Sequence, residues 1–308
     1  MTRHRQYHPR VAVVPVTDPD DPRIGDYRNI PDPALLHERR LFVAEGRLVV
    51  RRLLAANGLA TRSVMVTTAA LAALGDDIDR DATLIFLVPQ AVMNMVTGFN
   101  MHRGCLAIGE RPAALDWRRL ARRASRLVIL ERIANADNVG AIFRNAMAFG
   151  VDAVLLGPDC SDPLYRKAIR TSMAATLAVP FAYVEPWPDG LRELRSAGLT
   201  VIGLSPCGSA SSIRTVATAT PGRAAFVAGH EGEGLTRDAM DACDHVARIP
   251  IAPGVDSLNV GTAVAIALYE LAVGGDGGDG GNGITNGETG KRGRTERKLS
   301  ESDQRTKS

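Results

Sequence analysis

The chain has little that would tie it to a metal, a disulfide framework or a membrane. Its four cysteines, Cys105, Cys160, Cys207 and Cys243, are scattered with no C-x-x-C pair, which argues against both a zinc site and a stapled scaffold. They read as reduced, small core residues. No apolar run reaches the length of a bilayer span, and the basic start MTRHRQYHPR leads into prolines and aspartates where a secretory signal would carry an apolar stretch. The expectation is a cytoplasmic protein. The charge excess is small, +3 over 308 residues, so a polyanionic partner has to be argued from where the arginines lie. Two nucleotide-site signatures are missing as well. There is no P-loop lysine, and the glycine-rich loop GHEGEGL at 229–235 has the order G-x-x-G-x-G rather than G-x-G-x-x-G, which removes a nicotinamide-dependent oxidoreductase.

What is present is a globular chain, 45% hydrophobic and long enough for two domains. Residues 1–33 are dense in Pro and Asp and read as a loosely held arm. Residues 34–110 alternate strands (63–67, 83–88, 105–108) with helices (within 45–57, and from Gln90), a small α/β domain with a recognition role. Residues 111–125 form a basic linker, with Arg118, Arg119, Arg122, Arg123 and then Arg126 beside Trp117. Such a run can contact phosphates, or it can be a solvated helix face. In 126–273, strands at 127–130, 151–156, 199–204, 224–228 and 245–249 are unbroken apolar runs, the pattern of a parallel sheet covered on both faces. Its site belongs at the carboxyl ends of the strands. From residue 274 to 308 a glycine-rich and then charged tail reads as disordered, either adding affinity for RNA or serving solubility.

Three stretches at predicted strand ends carry chemistry. In NVGAIFR at 138–144, Asn138 is a natural helix N-cap and Gly140 permits close backbone approach. Arg144 lies one turn beyond on the same face, where a guanidinium can hold a phosphate or polarise a hydroxyl. Ordinary helix starts share this pattern. In the loop 229–235 the glycines free the backbone, and Glu231 can accept hydrogen bonds or orient a neighbouring loop. In 249–271 a helix entered at Asp256 or Ser257 is apolar on nearly all sides, while Ser257, Asn259 and Thr262 crowd its N-terminal end. Polar groups so placed line a pocket or merely cap a core helix.

Taken in this order, the three motifs resemble those of the SpoU-like (TrmH) family of SPOUT methyltransferases. FVAEGRLVV at 42–50 and GCLAIG at 104–109 resemble the family's small RNA-binding domain of L30e-like type. The resemblance implies an α/β fold whose parallel sheet ends in a deep C-terminal trefoil knot, preceded by an L30e-like α/β domain. It implies a homodimer that transfers a methyl group from S-adenosylmethionine to a ribose 2'-oxygen of structured RNA, without a metal and with ribosomal RNA ahead of tRNA. A noncatalytic RNA-binding or assembly factor retaining the fold is the alternative. The family's catalytic positions map to Arg144, Asn138, Glu231, Ser257 and Asn259, its cofactor contacts to Leu204, Gly229, Ile249 and Leu258, and an RNA-facing position to Arg170. Arg118 and Arg122 are candidates to assist RNA binding. The chain departs from the pattern at Asp137, where the family has proline, and at Gly261, where Ser or Ala is usual. His230 falls at a variable position and reads as a satisfied or solvent-facing histidine.

Overall fold

The structure, a computed structural model, describes residues 13–28, 31–79, 82–101, 103–220 and 222–274. In the first half, short apolar runs become β1 (Val13–Pro15), β2 (Leu41–Glu45), β3 (Thr61–Val66), β4 (Ile85–Leu87) and β5 (Cys105–Glu110). Between them lie α1 (Arg47–Ala55), α2 (Thr68–Leu74) and α3 (Gln90–Thr97). The strands form one sheet in the order β1-β4-β3-β5-β2, parallel from β1 to β3 and antiparallel from β3 to β2.

The expected loose arm does not hold for residues 13–28. β1 pairs with β4, and a short 3-10 helix at Pro22–Tyr27 buries Ile24 and Tyr27 in a core shared with Phe86 and Met93. The Tyr27 hydroxyl meets Ser63 Oγ at 2.8 Å. Here the Pro and Asp residues shape corners between apolar anchors. Residues 1–12 of the expected arm, and 275–308 of the expected tail, lie outside the described residues.

The second half contains α4 (Trp117–Arg123), β6 (Arg126–Leu130), α5 (Ala136–Ala148), β7 (Ala153–Leu156), α6 (Arg166–Thr171), β8 (Phe181–Tyr183) and α7 (Asp189–Ser196). It continues with β9 (Thr200–Leu204), β10 (Ser211–Ser212), α8 (Ile213–Thr218), β11 (Ala224–Ala228), α9 (Arg237–Asp241), β12 (His245–Arg248) and α10 (Val260–Gly274). All seven strands are parallel, in the order β10-β12-β9-β11-β6-β7-β8. Alternate side chains go to opposite faces, as the period of a strand requires. Val128, Leu130 and Phe226 pack under α5, α8 and α10, whereas Leu127, Ile129 and Val227 pack under α4, α7 and α9. Both faces are covered, which is why these strands read as unbroken apolar runs.

This order has a switch point. From β6 the chain winds outward through β7 and β8, then returns to build β9, β11 and β12 on the other side. The neighbours β6 and β11 therefore send their following helices, α5 and α9, to opposite faces. A crevice opens above them at the carboxyl ends of the strands, the general place for a site in such sheets.

Residues 111–125 are not a free linker. Trp117 and Ala121 of α4 are buried in the second sheet's core, because an apolar side on this short helix faces the strands while its arginines face out. The two halves also share material. Leu164 and Ile169, around α6, enter the first sheet's core beside Phe42 and Val50, while Ala168 of the same helix packs under α5. A buried pair closes the junction: Arg111 Nη1 lies 2.7 Å from Asp162 Oδ2, which also accepts the Tyr183 hydroxyl at 2.8 Å. Burial and the adjacent Asp162 push the Tyr183 phenol pKa up. Among the described residues no helix is long and apolar enough to cross a membrane, and no group of three or more His, Cys, Asp or Glu is arranged to hold a metal.

Removing one partner of a buried ion pair leaves the other charge uncompensated, at a cost of about 3–5 kcal/mol. The Asp162 side chain is only 4% exposed, so Arg111→Ala is expected to lower the thermal midpoint strongly. Asp162→Asn with Arg111→Ala together should recover part of the loss. A single variant as stable as the parent in a thermal melt would contradict the latch.

Candidate active site

Asn138 is at the centre of the crevice, but not as the cap. The cap of α5 is Asn135, whose side chain accepts from Asp137 N at 2.9 Å. Two candidate caps three residues apart cannot be separated by local pattern, and the earlier one starts the helix. Asn138 then falls in the first turn, 9% exposed, with its amide free to reach outward. Its Nδ2 donates to Glu231 Oε1 at 2.5 Å, and its Oδ1 accepts from Asn259 Nδ2 at 2.9 Å. Three segments far apart in sequence are thus joined through one side chain.

The helix α10 begins at Val260, later than the expected entry at Asp256 or Ser257. Asn259 Oδ1 accepts from Gly261 N at 2.9 Å and Thr262 N at 3.3 Å, which is N-cap geometry. Ahead of it, Gly254 adopts a left-handed φ of 84° in a turn that keeps Asp256 and Ser257 exposed and outside the helix. The helix is not enclosed on nearly all sides, contrary to what its apolar pattern suggests: Val260, Val264, Ala267, Leu268 and Leu271 form one buried face, while Ala263, Ala265, Ile266 and Ala272 are only partly buried. One stripe is open: Tyr269 is 56% and Val273 54% exposed. Gly261 has a packing role, since a β-carbon there would come within 3.0 Å of Ala141 Cβ on α5, and Asn145 Nδ2 donates to its carbonyl.

Gly140 also serves packing rather than a ligand. A β-carbon there would stand 2.7 Å from the Ala168 carbonyl oxygen, so its absence lets α5 lie close on α6. Asp137 reinforces that contact through Thr171 Oγ1 at 2.9 Å and Lys167 Nζ at 2.7 Å, and the lysine hydrogen bond holds its carboxyl below the usual range. Gly229 is similar, because any side chain would overlap the backbone of Gly234 and Leu235. His230 Nδ1 accepts from Gly232 N and Glu233 N, so the histidine stabilises the turn of the glycine loop.

Between this loop, the β9 end and the stretch before α10 lies a cavity of about 380 Å3, within the usual size of a small-molecule site. Leu204, Gly229, Ile249 and Leu258, the four expected cofactor contacts, all line it, as do Glu231 and Ser257. Sequence reasoning missed Pro206, Met240 and Ile251 on its walls, which carry no motif signal and join only through the fold. It also missed Cys207, which lines the cavity exposed rather than buried in a core, its thiol pKa lowered by hydrogen bonds from Ser209. The Ser257 hydroxyl has no partner among the described residues.

Arg144 is not brought to this cavity within the chain. It lies exposed on α5, without a partner among the described residues, close in sequence to the exposed Met147. Arg170, on α6, faces Glu45 of the first sheet at 4.0 Å. Arg118 is engaged elsewhere: it pairs with Glu193 at 2.6 Å and stacks over Trp117 at 4.4 Å. Arg122 is exposed on the same helix, on the sheet face opposite α5 and α10.

Asn259 has two separable roles, and substitution should part them. Loss of an N-cap side chain costs about 1 kcal/mol, so Asn259→Ala is expected to lower the thermal midpoint. Asn259→Asp keeps the acceptor for Gly261 and Thr262 but removes the donor to Asn138. It should recover the part of the midpoint owed to capping, without restoring the Asn138 contact. An aspartate variant no more stable than the alanine one would exclude the capping role.

The family model described as the SpoU rRNA methylase family matches residues 125–269, spanning the second sheet from β6 through most of α10. An uncharacterized tRNA/rRNA methyltransferase of Mycobacterium bovis is 38% identical over 273 residues, covering 87% of this chain and 94% of that protein. A 23S rRNA (guanosine-2'-O-)-methyltransferase RlmB of Vibrio vulnificus is 36% identical over 152 residues, 49% of this chain and 60% of its own. Among solved structures, an AdoMet-bound rRNA methyltransferase from Sinorhizobium meliloti shares the fold with a TM-score of 0.72 at 24% identity, covering 84% of this chain and 97% of that one. By its match to the family model and its near full-length similarity to a curated relative, the chain belongs to the SpoU rRNA methylase family.

Proposed function

We propose that this protein is an S-adenosylmethionine-dependent RNA 2'-O-ribose methyltransferase acting on ribosomal RNA. The observation that carries the reading is the joining of Asn138, Glu231 and Asn259 by hydrogen bonds beside the cavity at the sheet's switch point. The cavity suits the cofactor's chemistry. Leu204, Ile249 and Leu258 offer apolar walls for a flat base, and the loop at Gly229 exposes backbone groups to a polar ligand. When bound, S-adenosylmethionine supplies an electrophilic methyl group.

The chain's own residues would orient the acceptor. A guanidinium is not deprotonated in proteins, so the role of Arg144 is cationic rather than that of a base. It holds the target phosphate and ribose, and it stabilises negative charge developing on the 2'-oxygen. Proton removal falls to the phosphate or to water. Ser257, at the cavity with a hydroxyl that has no partner among the described residues, is available to the acceptor. Glu231, Asn138 and Asn259 hold the loops in register around it.

A homodimer completes this arrangement. Arg144 is exposed and without a partner among the described residues, and Met147, Tyr269 and Val273 expose apolar surface on α5 and α10, which pack on each other. A second protomer covering this surface would bring one chain's Arg144 to its partner's cavity. We assign the five-stranded sheet to RNA recognition as an L30e-like domain, with Arg170 at the junction. Arg122 remains a candidate RNA contact, while Arg118 is available only by leaving Glu193. The trefoil knot belongs to the same reading, with residues 249–271 as its threaded segment.

Purified protein is expected to transfer labelled methyl from S-adenosylmethionine to ribosomal RNA in preference to tRNA, the product resisting alkaline cleavage at one 2'-position. Arg144→Ala should lower transfer on the order of 10²-fold or more, as for loss of a transition-state charge stabiliser. Its affinity for S-adenosylmethionine should be unchanged by calorimetry. Undiminished transfer in that variant would remove Arg144 from the mechanism. Cofactor binding without transfer to any RNA would point to an assembly factor.

A further inference from the structure

Immediately after β6 stands Glu131, fully buried and unused by the chemistry above. A buried carboxylate needs compensating donors, and among the described residues no cation pairs with it. Its donors come from two other strand-end loops. Oε1 accepts from Trp187 Nε1 at 2.8 Å and Thr236 Oγ1 at 2.6 Å, and Oε2 accepts from Thr236 N at 2.8 Å. Its own amide donates to the Ala228 carbonyl at 2.9 Å, at the end of β11.

Thr236 closes the glycine loop. Its hydroxyl donates to Glu131 and accepts from Ala239 N at 3.3 Å, so it also caps α9. The loop is held at a second point by the neighbouring residue, since Arg132 Nη2 meets Glu233 Oε2 at 2.7 Å. Every residue from 229 to 235 lines the cavity. The position of that wall, and of Glu231 against Asn138, is therefore set from Glu131 and Arg132 as well as from the catalytic network.

We propose that Glu131 is a positioning residue of the methyltransferase site. It anchors the loop 229–236 through Thr236, so that the loop forms the cofactor wall and presents Glu231 to Asn138. The inference rests on the reading that the cavity takes S-adenosylmethionine. It separates two functions of one carboxylate: the Thr236 contacts serve the site, and the Trp187 contact serves packing of the β8–α7 connection.

The test compares three full-length single variants and one double. Glu131→Gln keeps the shape but turns an N–H toward donors, and Thr236→Val removes the hydroxyl from the loop side. Each is expected to raise KM for S-adenosylmethionine about tenfold, the scale of one buried group left unsatisfied, with KM for RNA moved less than about twofold. The double variant should be no worse than the more affected single one, because both break the same contact. Trp187→Phe withdraws a donor from the same carboxylate on the packing side. It should lower the thermal midpoint and leave KM for S-adenosylmethionine unchanged.

If Glu131→Gln does not fold, Thr236→Val against Trp187→Phe decides alone. Equal increases in KM from these two variants, or no increase from Thr236→Val, would overturn the proposal. A parent protein that binds no S-adenosylmethionine overturns the cofactor reading and this inference with it. A parent that binds, with variants unchanged, overturns this inference only.

Discussion

The amide of Asn138 is the constraint on which the site depends. An amide offers donors on one side and an acceptor on the other, and a buried one needs both kinds of partner. Here the donor goes to the loop after β11 and the acceptor to the residue that starts α10. Each partner has a second duty: Glu231 lies at the cavity, and Asn259 caps its helix. The amide can be satisfied only when three strand-end segments stand in one register. The switch point makes the crevice, and this hydrogen-bonded chain determines its shape.

The same economy joins the two halves. Through the missing side chain of Gly140, α5 lies close on α6, and α6 in turn fills the core of the first sheet through Ile169. Asp137 adds Lys167 and Thr171 to the contact, and Arg111 with Asp162 closes the junction beneath. Packed interiors transmit displacement rather than absorb it. The helix carrying Asn138 and Arg144 is thus registered against the first sheet, not only against its own.

Much of this was legible in the residues, and the limits have physical causes. The parallel strands could be read because burial on both faces leaves unbroken apolar runs, and β11 lies where the pattern puts it. β8 could not, since at a sheet edge only Ala182 of its three residues is buried. The helix starts were misplaced where two good caps compete locally. Asn135 over Asn138 is decided at the first turn, and Asn259 over Ser257 by a contact 121 residues away. The cavity-lining residues were found through the order of three motifs, not through local geometry. Tyr27 and Trp117 show the converse case, because turn-rich or arginine-rich surroundings conceal single large side chains that anchor a segment.

The reach of the Asn259 contact has a meaning for how the molecule is made. Chains are synthesised from the amino end and domains fold as they emerge. Asn138 is made 121 residues before the side chain that completes its bonding. Until α10 docks, all seven parallel strands of the larger sheet can pair while one face of their core, where Val264 and Leu268 belong, stays open to water. The candidate site is therefore among the last parts of the described chain to take shape, and an interrupted product ending before residue 259 carries an assembled scaffold with no finished site.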